Sequence, residues 1–228
     1  MRTHQHDQTW QARQRLAAEL DAAGAQVAAL TTAQVAAIET ADLAALGTAQ
    51  LRGLGTAQIQ ALTTTQVVAL STDQIAGLST AQVAAFKTEQ IAAIETADIA
   101  ALGSAQVGAL SSAQASALTT TQVAAIESGD IKALSTAAIR GLSTEAIVAL
   151  TTEQASALTT AQVAAFTTAQ VALIETEDIV ALGSAQVGAL SSAQTSVLTT
   201  AQVAAIETAD LRALSTNAVR GLTTESIV

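Results

Sequence analysis

Five stretches of the chain place a glutamate three residues ahead of an aspartate. They are Glu39 with Asp42, Glu95 with Asp98, Glu127 with Asp130, Glu175 with Asp178 and Glu207 with Asp210. A threonine or serine follows the glutamate each time. Carboxylates and hydroxyls are hard oxygen donors, so the chemistry to weigh first is calcium binding. Calcium takes six to eight oxygens, whereas the flanking residues are mostly glutamine and no glycine-rich calcium loop is present. The preferred reading is electrostatic: both acids fall at a helix N-terminus, where negative charge gains ~0.3–1 kcal/mol. No metal site is expected. The ten acids stand as the candidate ligands, with calcium an allowed but not favoured partner. His4 and His6, the two histidines, form a pair too sparse for a zinc-type site, which normally takes more ligands. A catalytic set of nucleophile, histidine and acid is absent, as is a phosphate-cradling glycine loop. The expectation is a protein that is no enzyme and carries no cofactor.

A net charge of −10 argues against nucleic-acid binding, which needs clustered positive charge to displace counterions. Cysteine is missing, so neither disulfides nor thiolate chemistry are available. The longest apolar run falls well short of the ~20 residues of a membrane span. The N-terminus lacks the apolar stretch of a secretory signal. Export, if it occurs, is expected to use a route without a cleaved N-terminal signal, or to follow removal of one.

The acids and glutamines are positioned by a repeat. From Leu30 to Leu222 a unit of eight residues recurs without a slip, of the form Leu30-Thr31-Thr32-Ala33-Gln34-Val35-Ala36-Ala37. Position 1 is always large and apolar. Position 3 is always threonine or serine. Position 5 is mostly glutamine, with aspartate the main alternative, and the aspartate occurs only where position 2 is glutamate. Position 6 is aliphatic and mostly β-branched, and position 8 is alanine or glycine except at Leu173 and Val197. Positions 4 and 7 vary and carry charges such as Arg52, Glu89, Lys132 and Glu153.

A period this regular means one structural unit packing on its neighbours. A continuous helix is disfavoured by the β-branched and hydroxyl residues in every unit and by the drift of an eight-residue repeat around a helix. The expected fold is all-α: a solenoid of very short helices, one per octad. The alternative is a β-solenoid, which the threonines and valines suit. In the helical reading position 3 is the N-cap and positions 4 to 8 form the helix. Positions 6 and the next 1 then share a face. A second register puts the cap at position 2 and makes capping boxes of Ser71 with Gln74 or Thr63 with Gln66. Position 3 is preferred because position 2 is sometimes glycine, glutamate or lysine. Helices this short survive only by stacking, since isolated ones below ~12 residues are marginal. Small residues at position 8 let them approach. Each glutamine amide is expected to bond backbone groups of its own or the next unit. Arg52, Arg140 and Arg220 are expected to be solvated.

The domain reading is residues 1–24 as a polar tail and capping helix, and residues 25–228 as the octapeptide solenoid. From Gln8 to Ala23 the pattern is that of a longer amphipathic helix, with Trp10, Leu16, Ala17 and Leu20 near one face and Gly24 able to end it. Trp10 is the candidate anchor, either over the first repeat or on a partner. A larger period overlies the octad: Phe86–Val148 matches Phe166–Val228 almost residue for residue, an offset of 80. Ala115, Ala155 and Thr195 break position 6 at intervals of 40, so five octads form a module that duplicated. The sequence stops at Val228 without a capping element, which is read as a piece of a longer array or an end completed by another subunit.

The unit Leu-Thr-Thr-Ala-Gln-Val-Ala-Ala-Ile resembles the opening helix of TAL effector repeats over nine residues. The second helix and the base-reading loop are missing, so DNA reading does not carry over. Over about Ala25 to Val228 the array is similar to long octapeptide-repeat bacterial proteins described as surface or adhesin-like. That resemblance implies a structural or adhesive role outside the cell or at its surface, though a cytoplasmic location is compatible with the composition. The leading expectation is a structural repeat protein that self-assembles into rods or filaments. The alternatives are an interaction scaffold for a protein partner, and a repeat segment of a calcium-responsive exported adhesin.

Overall fold

A computed structural model describes residues 27–223 of the chain. Among them are twenty-four helices and no strand, with one helix of four to six residues in each octad. The helical solenoid is the fold, and the β alternative is excluded for the described residues. The capping helix over 8–23, His4, His6, Trp10 and Gly24 lie outside them. The chain divides into two compact units between Ala101 and Leu102.

The register of the helices corrects the expectation. The N-cap is position 2, not position 3, as at Thr31, Ser71, Ser111 and Thr151. These caps are extended, and helix begins at position 3 and runs to position 7 or 8. The cap hydroxyl accepts the backbone N–H of position 5, as from Gln66 to Thr63 at 3.1 Å, while that glutamine's Oε1 accepts the Thr63 N–H at 2.8 Å. This is a capping box, two otherwise orphaned donors satisfied by one pair of side chains. With glycine or lysine at position 2, the glutamine half persists alone. Gly47 and Lys87 give their N–H to Gln50 and Gln90 at 2.8 and 2.7 Å. Tolerance of non-capping residues at position 2 follows from this half-box.

Within each unit, packing joins helices three octads apart. In the first, Thr32–Ala36 packs on Thr56–Ala61, and that on Thr80–Ala85. In the second, Ser112–Ala117 packs on Thr136–Gly141, and that on Thr160–Ala165. One turn of the solenoid is therefore three octads. The core is made by positions 6 and 1, as expected: Val35 and Ile38, Ile59 and Leu62, Ile131 and Leu134, and Val163 and Phe166 are all buried. Burying side chains of this kind contributes roughly 1.5–3 kcal/mol each, which is what holds helices too short to persist alone.

Position 3 has a different task from capping. It lies under position 8 of the octad one turn on. A β-carbon on Gly77 would sit 3.1 Å from Thr48 Cβ, and one on Gly141 would sit 2.6 Å from Ser112 Oγ. The pairing explains why position 3 stays small and polar and why position 8, Leu173 and Val197 apart, stays small. Gly129 is unlike these, with nothing within 4 Å of its β-position. Gly129→Ala is expected to raise stability by ~0.5–1 kcal/mol, because helical glycine loses more backbone entropy than alanine. A denaturant midpoint that fails to rise would show the site to be more crowded than it is drawn.

The five-octad module and the three-octad turn do not match. Ala115, Ala155 and Thr195, spaced by 40, consequently fall on three different faces of the second unit. All three are buried. Where they replace a larger side chain, the helix one turn on comes close. Ser112–Ala117 under Thr136–Gly141 and Ser192–Thr195 under Thr216–Gly221 are the tightest such packings, and in both the upper helix carries alanine at position 5 and glycine at position 8.

Candidate functional site

The position-5 side chains do most of the polar work between turns. Gln58 is typical. Its Nε2 donates to the carbonyls of Val27 at 3.0 Å and Leu30 at 2.7 Å, and its Oε1 accepts the Gly55 N–H at 2.6 Å. Gln66, Gln74, Gln82 and Gln90 repeat this in the first unit. In the second unit Gln154, Gln162, Gln170, Gln186, Gln194 and Gln202 do the same. The acceptor end caps the glutamine's own helix and the donor end ties it to the turn before. These amides are buried and satisfied within the fold, as buried polar groups must be. The expected bond to backbone is present, but its distant partner lies 28 and 31 residues back, not in the adjoining unit.

The five acidic octads break the pattern in a consistent way. Glu39, Glu95, Glu127, Glu175 and Glu207 are the N-caps and none makes a side-chain cap bond. Asp42, Asp98, Asp130, Asp178 and Asp210 lie in the first turns of those helices, where the helix dipole favours negative charge. A carboxylate cannot donate to the carbonyls one turn back. It accepts instead: Asp98 from the Thr72 hydroxyl at 2.7 Å, Asp130 from Ser104 and Asp210 from Ser184. Each donor is the position-3 residue 26 places earlier. The acids of the five octads are not brought together into one site. Among the described residues, no three histidine, cysteine, aspartate or glutamate side chains gather as a metal ion would require.

Asp178 differs from these three. It is 2% exposed and its Oδ2 is buried with no hydrogen-bond partner. The equivalent hydroxyl, Thr152 Oγ1, donates to Glu153 at 3.4 Å. Burial pushes the Asp178 carboxyl up to about 6, and the nearby charges of Glu175, Glu177 and Glu153 push in the same direction. Glu145 shows the opposite case. A backbone N–H bond, then the Ser143 and Thr144 hydroxyls, hold it below the usual carboxylate range. The signal for Asp178 was present in the sequence. Ile174-Glu175-Thr176-Glu177-Asp178 is the one acidic octad with a third acid, and Glu153 stands 24 residues before Glu177. Reading it required the number of octads per turn.

The basic side chains on position 7 are exposed at the surface. Arg140 does more than solvate, since its Nε donates to the Ala165 carbonyl one turn on, at 3.1 Å.

Comparison with known protein families matches the ALTTAQ repeat at residues 35–72, 67–93, 91–126, 123–160, 171–205 and 203–228. The chain belongs to the ALTTAQ repeat family. The six letters of that name are positions 8 and 1 to 5 of the octad, for example Ala29-Leu30-Thr31-Thr32-Ala33-Gln34. In structural terms an ALTTAQ unit is the corner between two helices, its leucine in the core, its first threonine the cap and its glutamine the tie to the preceding turn. No curated protein matches the chain.

Proposed function

We propose that this chain is a non-enzymatic structural protein whose repeats form a self-assembling rod or filament at or outside the bacterial cell surface. The observation that carries the reading is the uniformity of the ties between turns. Within each unit one side-chain type makes the same two bonds to the turn before it, as at Gln58 in the first and Gln202 in the second, so extending the stack needs no new chemistry. The polar groups that would otherwise form a ligand site are consumed in this stacking. Among the described residues no helix is long and apolar enough to cross a membrane.

Electron microscopy of the purified chain at rising concentration tests the proposal. Rods that lengthen with concentration are expected; discrete monomers under every condition contradict it. A second reading, a scaffold for a protein partner, draws on exposed apolar residues. Val148 and Leu173 are 39% and 47% exposed and belong to octads one turn apart. Replacing both with serine separates the two roles, since a scaffold loses partner capture while assembly persists.

A further inference from the structure

Three of the aspartates on the described helices are met by a hydroxyl from the turn before, and Asp178 is not. Both hydroxyls that could serve it are engaged elsewhere. Thr152 donates to Glu153 at 3.4 Å and Thr176 to Glu177 at 3.0 Å. The carboxylate is thus buried at the packing of Thr176–Ala181 on Thr152–Ala157 with one oxygen unpartnered.

The charged groups around it share its sign. Glu153 faces it from the helix one turn back, and Glu175 and Glu177 from its own octad. The Thr200–Ala205 helix packed on the other side carries no charged residue, nor do the neighbouring Thr168–Val171 and Ser184–Gly188 helices. Nothing cationic on these elements compensates. A buried charge without a partner is costly, and a proton removes it.

We propose that the packing of the Thr176–Ala181 helix on the Thr152–Ala157 helix is a proton-controlled joint, seated when Asp178 is neutral and loosened when it is charged. The sign follows from linkage. The folded chain holds this proton to about 6, whereas an ordinary aspartate loses it near 3.8. The fold binds more protons than the unfolded chain between those values, so its stability falls as pH rises through that window and stays lower above it. Asp98, Asp130 and Asp210 supply the contrast, because a hydroxyl from the turn before meets each of their carboxylates. The joint is independent of whether the chain assembles.

Two measurements on the whole chain decide the matter. Carbon-detected titration of the side-chain carboxyls is expected to place the Asp178 midpoint near 6; a midpoint at the ordinary value of an exposed aspartate overturns the proposal. Amide exchange across Thr176–Ala181, corrected for the intrinsic rate, is expected to accelerate by up to about fiftyfold between pH ~4 and ~7. Asp178→Asn should abolish that acceleration, and Asp178→Gln, which restores the usual position-5 residue, should do the same with more protection. Acceleration that persists in both variants, or that spreads evenly over the second unit, contradicts a joint at this position.

Discussion

Gly141→Ala is expected to lower the stability of the second unit by about 3 kcal/mol, at the upper end of ordinary overpacking costs. A β-carbon at this position would overlap the Ser112 carbonyl oxygen and lie 2.6 Å from Ser112 Oγ. The obstructing atoms include backbone, so no rotamer change relieves the clash. The Thr136–Gly141 helix must lift from Ser112–Ala117, and the lift exposes Ala115 and Ala138, both wholly buried. The same reasoning applies to Gly221, whose β-carbon would overlap the Ser192 carbonyl and the Thr195 hydroxyl. That hydroxyl already donates to the Ala218 carbonyl at 2.7 Å, so movement would break a buried bond as well. Chemical denaturation of Gly141→Ala beside Gly129→Ala checks the account, because the two substitutions should shift the midpoint in opposite directions. Equal shifts would remove the close approach of these helices as the explanation.

Gln154→Ala is expected to cost about 3 kcal/mol, the sum of lost net hydrogen bonds and a buried donor left unpaired. The side chain is 1% exposed. Its Nε2 reaches the carbonyls of Val123 at 2.8 Å and Ile126 at 2.6 Å, and its Oε1 takes the Thr151 N–H at 2.9 Å. Truncation leaves that N–H without its partner and opens a void where the amide lay. Gln154→Glu is a sharper probe, because it keeps the volume and the cap acceptor but sets a carboxylate against two carbonyl oxygens. At neutral pH it should unfold at least as readily as Gln154→Ala, and it should recover as acid neutralises the new group. The three native alanines at this position, Ala138, Ala146 and Ala218, do not weaken the argument. Each keeps the other half of the capping box, with a serine hydroxyl accepting its N–H at 3.0 to 3.1 Å. For Ala138 and Ala218 the closer approach of the helix fills the space.

Much of this architecture is legible in the residues. The apolar constancy of positions 1 and 6 and the smallness of position 8 led to short stacked helices, and Val35, Ile38 and their equivalents are buried as that pattern requires. The cap was misplaced by one residue for a physical reason. Hydroxyls stand at both position 2 and position 3, and the invariant one looked like the cap. Invariance there reflects the close packing of Thr48 under Gly77 and of Ser112 under Gly141, a contact between turns that a single repeat does not display. The glutamine bonds were anticipated in kind but not in reach, since a period of eight does not contain the number of octads per turn. The same missing number hid Asp178, whose neighbour Glu153 is distant in sequence and adjacent in the stack.

The three-octad turn is the claim on which the glutamine ties, the glycine contacts and the Asp178 joint all rest. The chain has no cysteine, so a pair introduced by substitution reports on its own geometry. A β-carbon on Gly77 would lie 3.1 Å from that of Thr48, so a parting of a few tenths of an ångström brings the pair into the roughly 3.5–4.5 Å that a disulfide spans. Thr48→Cys with Gly77→Cys is therefore predicted to close an intramolecular disulfide under mild oxidation. Thr40→Cys with Gly77→Cys, the pair that a four-octad turn would bring together, is predicted to stay open. Closure of the second pair in place of the first would contradict the turn and everything built on it.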